Sequence, residues 1–200
     1  MKQAMNAVQT EIDMYGQTAV VSVLVGGRFL IAAIALFIGS SKARAALKER
    51  ELWGGGTILG LILLVGFTTQ MVGIDTISPS TSAFLTSLYV VFTAMISTKM
   101  TGQPVTRMMI VGVLLATFGA GFIEGPPHLS WGKGEILTVI CAFFFALHII
   151  FTQSITQRMD PLGVTITSFV IVSIGSFAIS VFMGGMDTFK LWELTIQQDV

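Results

Sequence analysis

Charge is scarce in this sequence of 200 residues: Asp, Glu, Lys and Arg make up 11% of it, where a soluble domain carries about 25%. With 53% hydrophobic residues and a mean hydropathy of +0.82, that scarcity excludes a water-soluble single domain. Eleven acids balance eleven bases, and no basic run reads as a nucleic-acid surface. Cysteine occurs once, at Cys141, so no internal disulfide can form. The chain has two histidines, no His or Cys cluster with metal-ligand spacing, and no HExxH, GxSxG or P-loop signature. No catalytic residue, metal or other cofactor is expected, and the chain does not read as an enzyme. All five prolines, Pro79, Pro104, Pro126, Pro127 and Pro161, fall between apolar runs or at their starts, where a missing N–H costs little. Residues 1–17 are polar and lack the apolar core of a signal peptide, so no cleaved targeting segment is expected there.

What the sequence has instead is apolar length. Uncharged runs cover 52–74, 76–98, 108–123, 136–157 and 161–186, which are 23, 23, 16, 22 and 26 residues long, and a further run, 18–41, is interrupted only by Arg28. A helix crosses a hydrocarbon core of about 30 Å with roughly 17 to 25 mostly apolar residues. Four runs suffice outright, and 108–123 needs its flanks. The expected fold is an all-α membrane protein with six transmembrane helices. GIDTISPSTSAF turns the chain tightly between the second and third spans, with Ser78 as N-cap and Pro79 at the first helical position. Lys42, Arg44, Lys48, Arg50, Lys99, Arg107 and Arg158 gather on one side of the alternating loops, and Lys2, Lys133 and Lys190 on the other. Short loops rich in Lys and Arg stay cytoplasmic, so the first group is expected inside and both ends of this chain outside.

The stretch GLILLVGFTTQMVGIDTISPSTSAFLTSLYVVFTAMIS resembles the third and fourth helices of an EamA-type repeat of the drug/metabolite transporter superfamily. GRFLIAAIAL is similar to the second helix, VGVLLATFGAGFIE to the fifth, and GKGEILTVICAFFFALHIIFTQ to the first helix of the second repeat. The resemblance covers about residues 18–184. Members carry ten helices as two inverted five-helix repeats, so it implies that this chain holds helices two through seven. That gives a polar tail over 1–17, most of the first repeat over 18–124 in four helices, a loop over 125–133, and over 134–200 the start of the second repeat in two helices and a tail. The family often places an acid in the loop after its fourth helix, where Gln103 stands here. The resemblance also implies a multi-pass protein of the cell (plasma or inner) membrane that moves small metabolites or amphipathic compounds by alternating access. Its partners would be a small-molecule substrate, the lipid bilayer, and either a second copy in a homo-oligomer or the missing helices. The alternative is a non-transporting membrane protein that assembles with another membrane subunit through small-residue faces such as Gly112, Ala116 and Ala120.

A few polar residues within the spans are candidates for the substrate path. Ser78, Ser82, Thr86, Tyr89, Thr93 and Ser97 recur at steps of four, four, three, four and four, which confines them to about 100° of helical arc. The stripe either hydrogen-bonds between helices or lines a path through Ser82, Thr86 and Tyr89. Gln70 lies deep in the second span beside Thr68 and Thr69, on a face with Gly56 and Gly66. There Gln70 is either interhelical glue or a donor and acceptor for a polar substrate. His148 shares a face with Thr138, Cys141 and Thr152 and either bonds to a neighbouring helix or relays protons. The other histidine, His128, is expected to be solvated in its loop. Arg28 is the single charge inside a span. If that span begins near Val20, Arg28 lies about 12 Å in. The resemblance implies an anchor near the outer end of the family's second helix, and contact with a substrate anion is the alternative.

Overall fold

The computed structural model describes residues 16–101, 106–122 and 132–184. The tail over 1–15, Gln103, the loop with His128 and the residues after Gly184 lie outside the described residues, and with them the expected siting of both ends.

Eight helices are described: α1 Gln17–Gly39, α2 Ser41–Ala46, α3 Arg50–Ile74, α4 Pro79–Ser87, α5 Tyr89–Thr101, α6 Arg107–Phe122, α7 Lys133–Thr156 and α8 Pro161–Gly184. α1 opens after Gly16, whose φ of 84° suits only a residue without Cβ. It therefore starts earlier than Val20, taking in the uncharged Gln17 and Thr18. Ser40 closes α1 and caps α2, its N–H donating to Leu36 O and its Oγ accepting from Ala43 N at 3.2 Å. Arg44 reaches back to the carbonyls that the last turn of α1 leaves open, donating from Nη1 to Phe37 O at 2.6 Å and Ile38 O at 2.8 Å. The third span begins as its sequence requires, with Ser78 Oγ accepting from Thr81 N at 3.1 Å and Pro79 in the first turn. α7 and α8 are held by acids, since Glu135 Oε2 accepts from Gly132 N and Asp160 Oδ2 from Gly163 N, both at 2.9 Å.

The chain forms two compact units, one of residues up to Leu64 together with those from Met159 on, the other Val65–Arg158. In the first, α8 packs on α1 and on the first part of α3, through small residues in both cases. Against α1 it runs antiparallel: Ser180 Oγ donates to Ala19 O at 2.9 Å, a Cβ on Gly26 would lie 3.3 Å from Ser176 Cβ, and Phe29 meets Phe169 edge to face at 5.0 Å. Against α3 it runs parallel, since Gly56 faces Thr167 and Ser168, Gly60 faces Ile171, and Leu64 faces Gly175. Membrane helices gain no hydrophobic drive from one another, so close approach at such small residues is what holds them. Leu52, fully buried, closes the end of this unit against Gly163 together with Ala46.

In the second unit the rest of α3 packs antiparallel on α7. Gly73 lies beside Gly134 and Thr138, and Gly66 beside Phe144 and Phe145; Phe67 stacks edge to face on Phe145 at 5.4 Å. α4 packs on α6 and α7, and α5 on α7, where Phe92 meets Phe143 at 6.0 Å.

Five spans are long and apolar enough to cross a membrane: Thr18–Gly39, Arg50–Ile74, Pro79–Lys99, Lys133–Thr156 and Pro161–Gly184. The 16 residues of α6 reach only about 24 Å, and this segment, expected as a sixth span, is not among the five. α7 is antiparallel to α3. The side assignment is checked by cysteine labelling in a Cys141→Ala background. Asp75→Cys should react with an impermeant maleimide added outside, while Lys48→Cys, in the basic turn after α2, should not; the reverse pattern inverts the topology.

Candidate substrate path

Two of the polar residues singled out by their spacing meet: Gln70 Nε2 on α3 donates to Thr86 Oγ1 on α4 at 3.1 Å. The hairpin at Ser78 and Pro79 brings these two faces together. One turn before Thr86 sits Ser82, 2% exposed, whose Oγ has no hydrogen-bond partner among the described residues. A buried hydroxyl left unpaired is destabilising by about 1 to 3 kcal/mol, so its presence here calls for an explanation. Tyr89, half-buried, begins α5 a turn beyond Thr86.

The remaining hydroxyls of the stripe serve their own helix. Ser78 caps α4, Thr93 Oγ1 donates to Tyr89 O at 2.7 Å, and Ser97 Oγ to Ala94 O at 3.3 Å. Thr69 likewise donates to Val65 O at 2.9 Å and Gly66 O at 3.0 Å. The stripe is interrupted at Leu88, between α4 and α5. Ser87 Oγ donates to Phe84 O at 2.6 Å, occupying the carbonyl that Leu88 N–H would reach in a regular helix, and that amide turns instead to Leu85 O at 3.2 Å. Hydroxyl back-bonding of this kind bends helices.

His148 is half-buried, and its carbonyl accepts from Thr152 Oγ1 at 2.6 Å; no bond of its imidazole to a neighbouring helix is seen among the described residues. Cys141 and Thr138 on its face are fully buried. Arg28 lies at the middle of α1 rather than near one end, exposed, with its Cζ 5.8 Å from the centroid of the Phe29 ring.

Sequence reasoning passed over α8. Ser168, Ser173, Ser176 and Ser180 are all buried there, and Ser168 Oγ is a second hydroxyl without a hydrogen-bond partner among the described residues. The spacing of Ser173, Ser176 and Ser180 is helical and was legible as a small-residue face. Among the described residues no group of three or more His, Cys, Asp or Glu is placed to hold a metal ion.

Buried glycine contacts, polar groups turned onto neighbouring helices and apolar outer faces define a polytopic α-helical membrane protein. Residues 14–124 match the model of the EamA-like transporter family, and the chain belongs to that family. It is 31% identical over 106 residues to an "Uncharacterized transporter" of Archaeoglobus fulgidus, an overlap of 53% of this chain and 34% of that protein. The chain thus spans about a third of the length of the curated relative it matches. No solved structure matches.

Proposed function

We propose that this chain belongs to a transporter of small metabolites or amphipathic compounds that works by alternating access, with Gln70, Ser82 and Thr86 lining the path. On this reading 18–124 forms most of one repeat and 134–200 begins the second, and binding takes place where inverted repeats meet. The observation that carries it is the unpaired Ser82 hydroxyl beside the Gln70–Thr86 pair. Polar groups buried at membrane depth are satisfied by protein, water or ligand, and a passing polar substrate satisfies Ser82 in turn. Tyr89 and Thr69 flank the same region along α5 and α3, and His148 is assigned to the path on α7.

Proteoliposomes bearing the protein, loaded and assayed against a panel of amino acids, sugars, nucleosides and amphipathic cations, should show saturable flux of at least one compound. Flux equal to that of protein-free vesicles for every compound counts against transport and favours assembly with another membrane subunit.

A further inference from the structure

We propose that Arg28 is an anion-binding residue for the transported compound, which therefore carries an oxyanion, a carboxylate or a phosphate. This rests on the transporter reading above and adds the substrate class to it. Within the span Thr18–Gly39, Arg28 has ten residues before it and eleven after, which places it about 15 Å from either end. That matches half the thickness of the hydrocarbon core, about 15 Å, the depth at which an arginine is most costly.

The surroundings leave the charge unanswered. Among the described residues no ion pair or hydrogen bond of the Arg28 guanidinium is seen, and the Phe29 ring lies beside it. No other charged residue occurs on α1 between Gln17 and Gly39, and none on α8 between Pro161 and Gly184. The side of α1 that carries Gly26 and Phe29 is filled by Ser176 and Phe169 of α8. Arg28 itself is exposed, as are Ile31 at 62% and Ile38 at 70% further along the helix. An arginine at this depth on a lipid-facing surface is costly, and intramembrane charges turn toward protein or a water-filled cavity. A planar guanidinium with its donors free is suited to a bidentate oxyanion, and the apolar rim of Ile31 and Ile38 suits the organic part of an amphipathic acid.

The test uses Ile31→Cys, one turn from Arg28, in the full chain with Cys141→Ala. The probes are the anionic sulfonatoethyl and the cationic trimethylammonioethyl methanethiosulfonates. Both should modify the cysteine from the aqueous phase, the anionic reagent faster, and benzoate or inorganic phosphate should slow the reaction, benzoate alone if the site takes carboxylates and phosphate alone if it takes phosphates. The rate ratio between the two reagents should fall at least about tenfold in Arg28→Gln and persist in Arg28→Lys. No modification by either reagent, as on a face covered by lipid or another helix, overturns the proposal. So does a ratio indifferent to Arg28→Gln, or a reaction that neither anion slows. None of these readings measures flux, so failure here leaves the transporter reading standing, and absent flux with a positive result here separates the two.

Discussion

Gly134→Ala should lower the temperature at which the protein unfolds by roughly 4 to 8 °C, corresponding to about 2 kcal/mol of overpacking. A Cβ at Gly134 would stand 2.7 Å from the carbonyl oxygen of Gly73 and 2.7 Å from Ile77 Cγ2. The first of these neighbours is backbone and cannot rotate away. The two glycines face each other across α3 and α7, so a methyl group on one pushes apart the helices that hold the second unit. Cys141 reports the change without an engineered cysteine, because its thiol is fully buried on α7 and becomes reactive to a fluorogenic maleimide only when the packing opens. Gly112→Ala is the control. Among the described residues nothing lies within 4 Å of the added carbon, and relieving a glycine in mid-helix stabilises by about 0.5 to 1 kcal/mol. Equal melting temperatures for the two variants would show that the α3–α7 approach is looser than the glycine contacts require.

Ser82→Leu and Thr86→Leu should each reduce transport by at least about tenfold, which is 1.4 kcal/mol in the limiting barrier. Ile96→Leu, on the same span, should leave it unchanged. Leucine at Ser82 removes the unpaired hydroxyl and fills its surroundings with apolar volume, while at Thr86 it also strips Gln70 of its partner. If the role of Ser82 were helix packing, removing its unsatisfied hydroxyl without added volume, as in Ser82→Ala, would be neutral or stabilising, with transport intact. Normal flux in correctly inserted Ser82→Leu protein therefore rejects the path. Ser82→Ala separates size from polarity, since it deletes the hydroxyl without adding bulk.

The features legible in the sequence were those with a local cause. Span positions followed from the distances between charges, and the turn at Ser78 and Pro79 followed from capping chemistry. The closeness of α3 to other helices followed from its glycines, although the partners, α8 for Gly56 and α7 for Gly66, did not. Periodicity placed Ser82, Thr86, Thr93 and Ser97 on one face but could not separate a hydroxyl turned outward from one spent on its own helix. Serine and threonine make the latter bond in any helix, as Thr93 and Ser97 do here. The Gln70–Thr86 bond spans 16 residues and depends on the register of the hairpin, which composition does not fix. The interruption at Leu88 was equally hidden, because neither Gly nor Pro marks it. Its cause is a serine hydroxyl that outcompetes a backbone amide. Arg28 was visible as a charge but was placed too shallow, because the start of α1 depends on Gly16 and not on where the apolar run becomes dense.

The interruption at Leu88 also makes the third span a jointed rod. In a continuous helix, bending breaks amide bonds at the crease. Here the Phe84 carbonyl is already taken by Ser87, and the Leu88 amide by Leu85, so angular play at this joint sacrifices none of them. The C-terminal arm is seated where Phe92 meets Phe143. The N-terminal arm carries Ser82 and Thr86, packs on α6 and α7, and accepts from Gln70 of α3 at Thr86. A tilt of that arm, which would re-aim both hydroxyls, is therefore resisted by its packing on α6 and α7 rather than by the backbone bonds of the span.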